Sequence, residues 1–208
     1  MSKFIRIIPL LLFITVLCQG QSSEKDKIRE VFVNYKSAIR NGKGEDALKY
    51  LDSTSIKYYT GILNIIKSAD SAKVSSLSLL DKMIVLSIRH DARKEEIILM
   101  KGLDVFLYAL KKGMIGNASN FEIGDILMDK NVAKCQIFSK GSKSNLYFVL
   151  HKEKEHWKLN VTSLFDNVNL AIKHLIEDSG ASENEYLYLL LESMNGKKPG
   201  NEIWQPIE

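Results

Sequence analysis

Few side chains in this sequence are placed to do chemistry. The candidates are the histidines His90, His151, His156 and His174, the acids Asp125 and Asp166, and Cys135. Moving a proton on carbon, as an isomerase or cyclase does, needs a carboxylate base in an apolar cavity with hydrogen-bond donors opposite. Asp125, between Gly124 and Ile126 in an expected strand, is the candidate catalytic base; Tyr58, Tyr59 and Tyr147 are donors by type alone. The competing reading of Asp125 is a carboxylate at a strand edge or turn, facing water. His151 and His156 flank an expected hairpin turn and would need a third ligand to hold zinc. Glu153 and Glu155 lie in solvated Lys-Glu alternation, so no metal site is expected, and no cofactor. His90 falls at a helix end, where a basic group suits the helix dipole. A nucleophilic thiol needs an activating base and some exposure. Cys135 alternates with apolar neighbours and reads instead as a small core hydrophobe. A Gly-rich phosphate loop, a serine elbow, paired zinc cysteines and a His-Glu-x-x-His helix are all missing from the sequence.

The stretch that must organise the chain is 121–161. Ala133, Cys135 and Ile137, then Leu146, Phe148 and Leu150, then Trp157, Leu159 and Val161, recur at every second position. That spacing turns one face of each strand to a core. Short polar breaks at 129–131, 140–143 and 152–155 predict hairpins between antiparallel neighbours. The first run, 121–128, is apolar on both faces and is expected to be a central or covered strand. Such a sheet needs helices over its apolar face. Helical periodicity supplies them at 23–40, 45–51, 53–68, 78–89, 94–113 (bent near Gly102), 164–177 and 183–194.

Residues 1–20 read as a secretory signal: Lys3 and Arg6, an apolar run over 7–17, and cleavage before Gln21. A second reading lipidates Cys18 and anchors the chain to a membrane; Leu17 stands where a small residue is usual. Removing Lys3 and Arg6 from the 29 basic residues leaves 27 against 25 acidic ones, or +2. That balance is too weak for a nucleic-acid partner. The remainder reads as a single α+β domain over 21–196 and a Pro- and Gly-containing tail over 197–208, which Trp204 could dock.

The opening IREVFVNYKSAIRNGKGEDALKYLD resembles the start of nuclear-transport-factor-2-like domains, the cystatin-like group that includes ketosteroid isomerases. The segment NVAKCQIFSKGSKSNLYFVLHKEKEHWKLNVTS looks like their closing hairpins. The resemblance covers about 24–163, with 54–116 as a large helical insertion. It implies a sheet curled round the first helix, leaving a cone-shaped cavity. The expected architecture is therefore N-terminal helices on a curved four-stranded antiparallel sheet, a helical insertion and two C-terminal helices. The leading functional expectation is an exported, non-enzymatic domain that binds a small apolar ligand or a protein partner, with Tyr35, Tyr59, Phe148 and Trp157 lining the site. The alternatives are an isomerase- or cyclase-type enzyme using Asp125 and an envelope-anchored interaction lipoprotein.

Overall fold

The computed structural model describes residues 23–114, 121–139 and 141–207. The expected signal at 1–20, Cys18 and the cleavage point before Gln21 lie outside the described residues. Helix α1 (Glu24–Arg40) starts at a capping box: Ser23 Oγ accepts from Asp26 N, and the Asp26 carboxylate accepts from Ser23 N at 3.1 Å. Its buried stripe is Ile28, Phe32, Tyr35 and Ala38. A left-handed turn at Gly42 leads into the short α2 (Gly44–Leu48). Asp52 then caps α3 (Ser53–Ser68).

The sheet consists of β1 (Phe121–Asp129), β2 (Val132–Ser139), β3 (Ser142–Glu153) and β4 (His156–Asn160), paired antiparallel in that order. The register sets Cys135 opposite Phe148 and Leu150 opposite Leu159, all buried on the face that α1 covers. Trp157 is buried on the same face, and its indole N–H donates to Glu24 of α1 at 2.9 Å.

Two expectations need correction. The sheet is not curved: it is an open meander, neither curled nor closed, with β1 and β4 at opposite edges. Curling a sheet takes bulges or kinks spread along the strands. Here the irregularities sit at one end, at 123–126 in β1 and 136–138 where β2 meets β3. Most of the other helices also pack on one another, so the sheet has little but α1 to wrap. The strand expected to be central, β1, is an edge strand, with Leu127 59% exposed. Its apolar residues on both faces looked like double coverage, but only Ile126 is buried. Arg29 of α1 holds the first half of this edge by donating to the carbonyls of Ile123 and Gly124 at 3.0 and 2.9 Å.

The region between α3 and β1 builds a second half of the core. It contains α4 (Ser71–Ser75), which the sequence pattern did not reveal, α5 (Leu79–Asp91), α6 (Lys94–Leu99) and α7 (Gly102–Lys111). The bend expected near Gly102 is a full break between α6 and α7. A Cβ at Gly102 would come within 2.8 Å of the Thr60 Cα, so glycine permits the close approach of α3 and α7. After β4 come a 3₁₀ turn (Val161–Leu164), α8 (Phe165–Ser179) and α9 (Glu183–Asn195). Helix α5 is the centre of this half. Leu80 and every residue from Lys82 to Arg89 are buried, so the helix is enclosed nearly all round, with Lys82, Ser87 and Arg89 among its buried residues.

The buried cation is placed to be solvated by carbonyls. Arg89 donates to the carbonyls of Ile65, Ile66 and Ala69 at the end of α3 and to that of Ile203 in the tail, at 2.7 to 3.2 Å. The Ile66 and Ala69 carbonyls have no helical partner, Ile65 O also accepts from Ala69 N, and this end of α3 carries the negative pole of the dipole. Burial pulls the Arg89 pKa below its ordinary value. The tail is thereby part of the body: Ile203 is buried, Trp204 Nε1 donates to the Tyr188 hydroxyl at 2.9 Å, and Ile207 N donates to Lys67 O.

Candidate functional site

The segment 50–53 crosses from α2 to α3 and decides what stands on either side of it. Leu159 N donates to Tyr50 O at 2.7 Å and Asp52 N donates to Leu159 O at 3.0 Å, so the crossing runs parallel to β4 and closes that edge of the sheet. Asp52 is completely buried. One carboxylate oxygen accepts from Ser55 N at 2.7 Å and caps α3; the other lies 2.7 Å from His151 Nδ1 on β3. Beside them Glu153 accepts from both the amide and the hydroxyl of Ser53, at 2.7 and 2.6 Å. Partial burial opposes the Glu153 charge. The two Ser53 hydrogen bonds, with His151 and Lys158 close by, outweigh it and hold the carboxyl below the ordinary carboxylate range.

Among the described residues, this His–Asp pair is the one place where a candidate histidine meets a buried carboxylate. A carboxylate on Nδ1 fixes the ring and leaves Nε2 available, as a general base requires. His151 was identified in the sequence, but as half of a zinc pair. His156 is exposed on the far side of the hairpin turn, and among the described residues no cluster of three metal-ligating groups exists. Asp52 was missed. Its local signal, an acid before Ser53-Thr54-Ser55 at a helix start, announces a cap; its contact with a histidine 99 positions away has no local signature.

On the other side of the same segment an open groove follows α1. It consists of two adjoining depressions, of about 370 and 340 Å³, both lined by Asn34, Lys49 and Tyr50. Lys27 and Trp157 mark one end, Asn41 and Lys43 the other. At 1.5 Å per residue, the α1 wall from Lys27 to Asn41 is about 20 Å long. The half-buried Asn34 amide makes no side-chain hydrogen bond among the described residues, and Lys43 makes no ion pair among them. Lys49 is paired with Asp46 at 2.6 Å and Lys27 with Glu24 at 2.7 Å. The Glu24 carboxyl, which also accepts from Trp157 and Lys152, is pulled down to about 2 by Lys27, Trp157 and Lys152 in that order.

The residues expected to line an apolar cavity lie in the packed core. Tyr35, Tyr59 and Phe148 are buried; Phe148 packs on Phe32 with ring centroids 5.2 Å apart, and Tyr59 packs edge-on against Phe106. Burial pushes both the Tyr35 and Tyr59 hydroxyls well above the usual tyrosine range. Trp157 alone of the four also borders the groove. Asp125 stands in water, ion-paired with Lys143 at 2.8 Å, which holds its carboxyl below the usual range. A base that must take a proton from carbon needs the opposite shift. Cys135 is buried with its thiol pushed up to about 12, the state of an inert core residue. His174 is exposed beside Glu177, Asp166 lies exposed in the first turn of α8, and His90 Nε2 meets the Lys197 carbonyl at 2.9 Å.

Comparison with known proteins finds no matching family model, no matching curated protein and no matching solved structure.

Proposed function

We propose that the chain is an exported binding domain whose recognition surface is the groove along α1. The observation that carries this reading is the Asn34 amide, half-buried yet without a side-chain hydrogen bond among the described residues, beside Tyr50 where the two depressions meet. The Asn34 side chain lines an open groove, where its amide can donate to and accept from a ligand that displaces water. Tyr35, Tyr59 and Phe148, expected around an apolar ligand, are packed in the core, which moves the reading from an apolar to a polar ligand. Export rests on the leader at 1–20, and membrane attachment would rest on lipidation of Cys18. Mass spectrometry of the mature N-terminus separates the two: a free Gln21 supports release, a diacylated cysteine supports anchoring.

A second reading, a hydrolytic or isomerising enzyme, is favoured by the Asp52–His151 pair. A fragment screen read by amide NMR shifts of the mature chain distinguishes them. Polar fragments that shift Asn34 and Tyr50 support binding in the groove. Shifts centred on His151 with the groove silent favour the second reading, and a screen with no shifts in either place contradicts the first.

A further inference from the structure

We infer that β1 is a self-association surface: its open edge pairs antiparallel with β1 of a second copy, about a two-fold axis at Leu127. This goes beyond the groove reading and uses the opposite edge of the sheet. The first observation is the direction of the backbone. Asn131 O accepts from Lys152 N, so Asn131 bonds to β3 and Val132 turns the other way, to β1. Val132 and Lys134 stand opposite Asp129 and Leu127. Those two residues therefore bond to β2, and the N–H and C=O groups of Ile126 and Met128 point out of the sheet. These groups have no hydrogen-bond partner among the described residues. An open edge of this kind is a template for another strand. It also carries Leu127 and Met128, 59% and 38% exposed. The earlier half of β1 is closed, because Arg29 donates to the carbonyls of Ile123 and Gly124.

The second observation is the symmetry of what remains open. Asp125-Ile126-Leu127-Met128-Asp129 reads acid, three apolar residues, acid in either direction. Self-pairing about a two-fold axis needs a segment that matches its own reverse. With Leu127 opposite its own copy, Ile126 of each chain faces Met128 of the other. The outward groups of these pairs then form about four hydrogen bonds.

The third observation is charge. The same register sets Asp125 of each chain opposite Asp129 of the other, and two facing carboxylates are unfavourable on their own. Here Lys143 is ion-paired with Asp125 at 2.8 Å, and Arg29 sits on the adjoining carbonyls. Lys143 foremost, then Arg29 and Lys25, hold the Asp125 carboxyl below the ordinary range. Cations thus outnumber the carboxylate they surround. Asp129 makes no ion pair among the described residues. A foreign strand would have to bring an anion to that place; a second copy already carries one.

Sedimentation equilibrium of residues 21–208 tests this. The paired stretch is short, so the dimer is expected to be weak, with a Kd on the order of 100 µM to 1 mM. Over the same concentrations, hydrogen exchange read by NMR should slow at the Ile126 and Met128 amides. The Leu127 and Asp129 amides, already bonded to β2, should change less. Leu127→Lys, at an exposed position, should weaken the dimer by about 10-fold or more, with the melt of the dilute protein unchanged. Asp129→Lys, which brings a like charge to Arg29 of the other copy, should weaken it too. The inference is overturned if the protein stays monomeric to millimolar concentration. It is equally overturned if the dimer survives Leu127→Lys, or if the amides that gain protection lie outside β1.

Discussion

The two halves of this molecule bury their apolar residues in different ways. Around α5 the chain encloses a helix on nearly every side and places a guanidinium among carbonyls to finish the job. Around the sheet it covers one face with α1, leaves β1 as an open edge, and leaves a polar trough between α1 and β4. The helical half has little surface to spare for a ligand at its centre. The sheet half holds uncommitted polar groups beside a rigid wall. The two halves are therefore packed differently, and substitutions in each half should behave differently.

The largest effect is expected in the helical half. Arg89→Ala removes the donor for four carbonyls and unties the tail; a loss of about 3–4 kcal/mol should lower the melting temperature by roughly 10 °C. Next is the crossing between the halves. Asp52→Ala removes both the cap of α3 and the partner of His151, with an expected cost of about 2–3 kcal/mol in denaturant unfolding. If Asp52→Ala cost as much as Arg89→Ala, the sheet half would be the more demanding of the two and the comparison would break. Within the sheet half, Trp157→Phe keeps most of the buried ring but loses the bond to Glu24; about 1–2 kcal/mol is expected.

A smaller effect sharpens the same contrast through pH. The folded Glu24 pKa is depressed from 4.5 to about 2. Its contribution is complete above 4.5 and fades as pH falls through that window, because the unfolded chain takes up the proton first. Glu24→Gln should therefore lower the melting temperature at neutral pH, and the loss should shrink as pH falls from 4.5 towards 2, which flattens the acid limb of the profile. The smallest effect belongs to Asp125→Asn. The pair with Lys143 is exposed and screened, so no measurable change in melting is expected.

Much of this was legible in the sequence, for local reasons. Ser23 with Asp26, and an acid before Ser53, are caps that mark helix starts within four residues. The alternation through Cys135, Phe148 and Trp157 defined a buried face because the period of a strand is two. Other features depend on distant parts of the chain and left no such mark. Apolar residues on both faces of β1 looked the same as those of a central strand, and only the pairing order shows an edge. Tyr35 and Tyr59 had the composition of a binding site, yet Phe32, Phe106 and Phe148 fill the space around them. The depth of α5 follows from α3, α8 and α9 closing on it, which no window of its own sequence contains. The groove is legible only in part: Asn34, Ser37 and Asn41 share a helical face, but the opposite wall comes from 43–50 and 155–158.

Native-state hydrogen exchange on residues 21–208 tests the contrast most directly. Amides of α5 from Met83 to Ile88 should exchange only through global unfolding, while β1 amides from Ile126 to Asp129 exchange by local opening at much lower cost. Equal protection of β1 and α5, or faster exchange in α5, would contradict the account.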